Sequence, residues 1–303
     1  MVPWLIRKVS ITRQPSVSSF ITLRNIPAGD PDRKTFVGFG DPIFNMTQLA
    51  LAEGATYGRP KGPESGEDRL HVRGIRITEK GDLDRANIPS LQLSHLNRLP
   101  DTSEEIMSIA SALGADLSQD IFLGKKASER QVKIMSLSDR RIIAFASHAL
   151  VPGDLDGLSQ PAIALASPSV TGDNEDGLLT MEEILELKLD ADWVVLSACN
   201  TGAAEGAGAE AVSGLGRAFF YAGTRAILVS MWPVETTSAK ELTTGLFKYQ
   251  KEDKTLSRGK ALQKSMLDLI DNTVLRDKGT GKVIASYAHP LFWAPFIIVG
   301  DGR

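Results

Sequence analysis

Five short apolar runs, each dense in β-branched residues, punctuate the chain: TFVGFG at 35–40, RIIAFAS at 141–147, DWVVLSA at 192–198, RAILVSM at 225–231 and PFIIVG at 295–300. They are apolar at consecutive rather than alternate positions, as strands covered on both faces are. Segments of helical periodicity separate them. The alternation is the sequence form of an α/β protein, with a mostly parallel central sheet and helices on both faces.

The helical segments carry their own boundaries. Thr102 and Glu105 have the spacing of a capping box, Ile106, Ile109 and Leu113 recur at helical intervals, and Gly114 ends the run. The same spacing recurs at Ser128/Gln131, Thr180/Glu183 and Ser238/Glu241. Further helices are predicted over 210–222, closing at Gly223, and over 257–272. Residues 52–69 are crowded with Gly, Pro and charge and read as a flexible surface loop. Residues 1–34 read as an accessory segment, an edge piece or hairpin leading to a small helix, laid on a main domain spanning 35–303. No internal repeat of 20 to 50 residues is visible.

Composition narrows the function classes. With 42% hydrophobic residues in 303, the chain can build one large core or two modest ones. The net charge is −3 and Lys and Arg are dispersed, so no basic stripe points to nucleic acid or an anionic membrane. The opening MVPWLIRKVS has no apolar run of signal-peptide length, and no stretch approaches the roughly 20 apolar residues of a membrane span. Cys199 is the single cysteine, which rules out an intrachain disulfide and fits a cytoplasmic protein. Without a Cys/His cluster no structural zinc is expected, and the chemistry below calls for no metal or other cofactor.

Residues just past the carboxyl ends of neighbouring parallel strands meet in one crevice. His148 follows the run at 141–147, and Cys199 follows the run at 192–198. If those strands are neighbours, about 4.8 Å apart, a thiol and an imidazole face each other at the sheet rim. An imidazole can take the proton of a thiol that is otherwise only a few per cent ionised at neutral pH, and can later protonate a leaving amine. Small residues follow in ACNTGAAEGAG, and the backbone N–H groups of Ala149 and Cys199 are candidate oxyanion donors. Taken singly, a cysteine after an apolar strand is more often a buried space-filler, and a histidine there is more often structural. It is their occurrence at equivalent strand ends that favours chemistry. His71 and His95 lie in polar, loop-like surroundings, and His289 in YAHPLFWAPF reads as a packing motif. Asp154 and Asp156 could orient the imidazole, contact substrate or solvate a loop, the last being the usual role of such residues.

At AFASHALVPG, VVLSACNTG, AGTRAILVSMWPVE and AHPLFWAPFIIVG, and again at VGFGDP, LPDTSEEI and FLGKKASERQV, the chain resembles the CHAT family, caspase-like domains often found beside tetratricopeptide repeats. The resemblance covers nearly the whole chain in order. It implies a caspase-like three-layer α/β/α sandwich, and it matches His148 and Cys199 to the dyad of a cysteine peptidase acting on a protein or peptide substrate. The 51 positions between them are close to the spacing of roughly 50 seen in caspases. By the same resemblance Ser230 and Trp232 are cleft-lining residues, and Glu235 is either a selector for a basic side chain or a cap of the next helix. Glu205 and Glu210 are further acidic candidates. The resemblance also implies an activating protein partner or repeat domain, and roles in bacterial regulated proteolysis, defence or cell death.

In places the chain departs from the pattern of the family it resembles. Ala149 stands where the family commonly has Gly, and Ser197 stands where the related metacaspases have Asp, so their preference for cutting after Arg or Lys does not transfer. Members usually carry more at the front, repeats or an additional strand pair. Two other classes compete: a catalytically silent interaction domain on the same fold, and a nucleotide-binding module. The second is weakened because VGFGDP leads into no G-x-G-x-x-G or P-loop pattern.

Overall fold

The computed structural model describes residues 2–54, 92–197, 207–272, 274–276 and 281–303. Strands are β1 (Thr12–Arg13), β2 (Lys34–Pro42), β3 (Ile121–Gly124), β4 (Arg140–Ala146), β5 (Ala149–Leu150), β6 (Ala162–Ala164), β7 (Leu178–Thr180), β8 (Trp193–Leu196), β9 (Ala226–Ser230), β10 (Val274–Arg276), β11 (Val283–Ser286) and β12 (Phe296–Gly300). Helices are α1 (Val17–Asn25), α2 (Met46–Gly54), α3 (Asp101–Leu113), α4 (Glu129–Ile134), α5 (Pro168–Thr171), α6 (Met181–Glu186), α7 (Ala207–Ala222), α8 (Thr236–Glu252), α9 (Arg258–Asn272) and α10 (Pro290–Trp293).

All five apolar runs are strands of one seven-stranded sheet, ordered β1-β12-β9-β8-β4-β2-β3. β9, β8, β4, β2 and β3 are mutually parallel. The last run, β12, instead lies antiparallel to β9, with Phe296 opposite Ser230, and β1 pairs parallel with β12. An apolar run reads the same in either direction, which is why its orientation was not predictable. The N-terminal segment supplies the edge strand β1 and then α1, without a hairpin.

Side chains alternate across each central strand with period two. Phe36, Ile142, Ala144, Trp193, Val195 and Leu228 face one way, into a core with α3, α8 and α9. Val37, Phe39, Ile143, Phe145, Val194, Leu196 and Val229 face the other, onto Leu215 and Phe219 of α7. The three-layer α/β/α sandwich implied by the resemblance is therefore the observed architecture. Phe39 stacks on Phe122 and on Phe145 at 5.3 Å each, aromatic pairs that tie three adjacent strands and are each worth about 1 kcal/mol beyond burial. Helix α3 crosses β2 where the strand has no side chain: a Cβ on Gly38 would lie 2.6 Å from Ile106 Cγ2.

Helix boundaries follow the sequence signals in part. Thr180 and Glu183 form a full capping box, Ser128 caps α4 through the N–H of Gln131, and Gly114 and Gly223 end their helices with positive φ. Two expected caps are displaced. Thr102 lies inside α3, its hydroxyl donating to Leu99 O (2.7 Å) and accepting from Asp41 N–H (2.8 Å). Ser238 lies inside α8, whose cap is Glu235. The first positions of the predicted loop at 52–69 belong to α2, which runs to Gly54; the rest of that prediction lies outside the described residues.

A second, three-stranded antiparallel sheet, β5-β6-β7, grows from the carboxyl end of β4. Leu150, Ala162, Ala164 and Leu178 from it close with Phe44, Leu93 and Leu96 into a small separate core. These strands are too short to stand out in the sequence. Near the opposite end of the main sheet, ion pairs join Arg225 to Asp190 (2.7 Å) and both Arg33 (3.2 Å) and Arg141 (3.0 Å) to Asp192.

Candidate active site

Between β4 and β5 the chain passes from the main sheet to the small one through Ser147 and His148. The Ser147 hydroxyl donates to Ala164 O, and Ala164 N–H donates to His148 O (2.9 Å), so the backbone around the histidine is fixed from both sides. His148 is only 1% exposed and its ring lies 5.8 Å from that of Phe44.

Its Nε2 lies 2.7 Å from the main-chain oxygen of Asn97. A carbonyl only accepts, so Nε2 carries the proton and the neutral ring keeps its lone pair at Nδ1. Burial pushes the imidazole pKa below its ordinary value of 6.5, opposed by the Asn97 carbonyl and the charge of Asp101. The result is a neutral imidazole of defined tautomer, the form in which histidine serves as a general base.

Ala149 is buried, and its N–H has a particular direction. Because His148 and Ala164 form a hydrogen-bonded pair of the antiparallel ladder, the next pair, Ala149 opposite Ile163, is one whose backbone groups point away from the partner strand. The N–H of Ala149 is thus left out of the β5/β6 ladder.

Cys199 lies outside the described residues, as do His71 and Glu205; the side chain of Glu210 does too. What the structure does give is the neighbourhood of β4 and β8, with Phe145 opposite Leu196 and Ser197 N–H donating to Phe145 O (3.0 Å). His148 and Cys199 each stand three positions beyond that matched pair in sequence.

The other sequence candidates have these places. Asp154 accepts from Val151 N–H (2.7 Å), and Asp156 exchanges two hydrogen bonds with Gln92. The imidazole Nε2 is held by the Asn97 carbonyl, which no spacing argument could find because every residue has one. Ser230 ends β9 and is buried, and Trp232 follows half-buried in the turn before α8. Glu235 is 4% exposed and its carboxylate accepts from Thr237 N–H (3.0 Å) and Ser238 N–H (2.7 Å). His289 Nδ1 accepts from Leu291 N–H (3.2 Å) at the start of α10.

Among the described residues, one group of carboxylates, Glu129, Glu175 and Glu183, is close enough to hold a cation, and it already encloses the ammonium of Lys133, 2.7 Å from both Glu175 and Glu183. Burial pushes the Glu129 pKa up to about 8, against the pull of Lys133.

The comparisons with known proteins complete this picture. The CHAT domain model matches residues 2–301. The chain belongs to the CHAT domain family. A human relative, tetratricopeptide repeat protein 28, is 26% identical over 234 residues, covering 67% of this chain but 8% of its own length. This CHAT chain therefore spans less than a tenth of that relative. Among solved structures, the Arg specific cysteine proteinase gingipain R is similar with a TM-score of 0.37 and 12% identity, over 66% of this chain and 42% of that one. No helix among the described residues is long and apolar enough to cross a membrane.

Proposed function

We infer that this CHAT domain is a cysteine endopeptidase. The observation that carries the reading is the state of His148: buried, neutral, Nε2–H given to Asn97 O, lone pair at Nδ1, at the end of the strand that pairs with the one leading to Cys199. Cys199 Sγ gives its proton to His148 Nδ1 and attacks the scissile carbonyl carbon. The Ala149 and Cys199 N–H groups hold the oxyanion. His148 passes the proton to the leaving amine as the acyl-enzyme forms, and then activates the water that releases the acid and restores the thiol.

The substrate is a protein segment in extended form. Ser230, at the end of β9, and Trp232, just past it, line its path, Asp154, Asp156 and Glu235 are the acidic groups that would read its side chains, and a repeat domain is the partner that presents it.

A second reading, an interaction domain without catalysis, is favoured by one observation: a histidine 1% exposed is closed to substrate. Intact-mass spectrometry after brief treatment with iodoacetamide and peptidyl fluoromethyl ketones separates the two. The peptidase reading expects single-site labelling at Cys199, faster than a free thiol and lost in His148→Ala. Labelling only after denaturation, or equally fast in His148→Ala, would establish the interaction domain in its place.

A further inference from the structure

The segment that supplies Asn97 O has little regular structure of its own, a single 3-10 turn at Leu93–His95 before α3 begins. Side chains from outside that turn hold it in place. Asn45 Nδ2 donates to Ser94 O (2.7 Å), Gln48 Nε2 to Leu96 O (2.8 Å) and Thr102 Oγ1 to Leu99 O (2.7 Å).

The strongest tie starts at the residue after Asn97. Arg98 gives Nε–H and Nη2–H to the two carboxylate oxygens of Asp41, at 2.7 and 2.6 Å, a bidentate fork that fixes angle as well as distance. Asp41 is 4% exposed and sits near the end of β2, beside β4, with Gly40 opposite Ala146. It has φ of 50°, the only positive φ of a non-glycine among the described residues, and its N–H is held by Thr102. Such a backbone costs on the order of 1 kcal/mol and persists where surrounding contacts determine it. Burial pushes the Asp41 carboxyl pKa up while the guanidinium pulls it down.

The Asn97 carbonyl and the Arg98 N–H belong to one planar peptide unit, so whatever fixes Arg98 restrains the direction in which that oxygen points. We propose that Asp41 and Arg98 are positioning residues for His148: their fork aims the Asn97 carbonyl at Nε2 and so sets which imidazole nitrogen is the base. Neither touches the reacting atoms. The kinetic consequence rests on the peptidase reading; the tautomer does not.

The test is the long-range proton–nitrogen spectrum of the 15N-labelled full chain, with His148 assigned by its loss in His148→Gln. Two variants are compared. Asp41→Asn/Arg98→Gln removes both charges together, so that neither is left buried alone. Arg98→Lys keeps the charge and loses the fork. The expected result is a single Nε2–H tautomer in the wild type, a mixture in both variants, and Nε2–H exchange with solvent faster by roughly tenfold, as for a weakened hydrogen bond. For peptide cleavage, kcat falls by about a hundredfold with KM little changed. A variant that melts within a few degrees of the wild type and keeps the single tautomer overturns the proposal. A wild type without His148-dependent labelling of Cys199 sinks the peptidase reading, and the tautomer comparison still decides this one.

Discussion

His148 Nε2 and the carbonyl oxygen of Asn97 are 2.7 Å apart, a backbone group doing for the imidazole what a carboxylate does in many triads. A carbonyl holds the ring without a full negative charge, so it stabilises the imidazolium less than a carboxylate would and leaves burial to set the protonation state.

Stability should therefore fall in mild acid. The folded-state pKa of His148 lies below the ordinary 6.5, so below that pH the unfolded chain binds a proton that the folded chain does not, and stability is lost as pH falls towards the folded value. The slope from this group approaches about 1.4 kcal/mol per pH unit at most. Urea unfolding followed from about pH 8 down to about pH 5 should show a flatter profile in His148→Gln than in the wild type; parallel profiles would mean that His148 takes up its proton at the same pH in both states.

Gly38→Ala should destabilise the fold by about 1–3 kcal/mol, the usual cost of overpacking. The new methyl would meet Ile106 Cγ2 at 2.6 Å and Phe36 Cζ at 2.7 Å, pushing α3 away from β2. Adding Ile106→Ala removes the obstructing Cγ2 methyl, so the double variant should be more stable than the sum of the two singles. Additive losses in denaturant unfolding would place the strain elsewhere.

Glu235→Ala should cost about 1 kcal/mol, because two N–H groups at the start of α8 lose their acceptor. Glu235→Gln keeps an oxygen but not the charge that favours a helix N-terminus, and should lose less. Thermal melting of both variants orders them. Profiling the cut site in Glu235→Gln then asks whether the same carboxylate also selects basic side chains: an altered preference at unchanged stability would assign it that second role.

How much of this was legible beforehand depended on what each feature leaves in the sequence. The five strands were, because burial on both faces writes itself as consecutive apolar residues. β3 was not, since IFLG is too short to separate from the helical segments around it. Capping spacing was right at Thr180, where its hydroxyl and the Glu183 carboxylate close the box, and wrong at Ser238, because Glu235 three residues earlier accepts from Thr237 and Ser238 N–H and starts the helix sooner. The histidine could be picked out by its position after a strand. Its partner could not, because Asn97 acts through an oxygen that carries no side-chain identity. Asp41 and Arg98 lie 57 positions apart, and only the fold brings them together.

The edge pairing of Thr12 with Ile298 also bears on how the sheet comes apart. Gln14 Nε2 reinforces it by donating to Gly300 O, 286 positions away. The entropy of closing so long a loop grows only logarithmically, yet β1 has nowhere to dock until β12 has found β9. The edge should thus zip last and fray first, and amide exchange in the native state should trace a gradient, quick at β1, slower at β12 and slowest in β4 and β8 at the centre of the sheet.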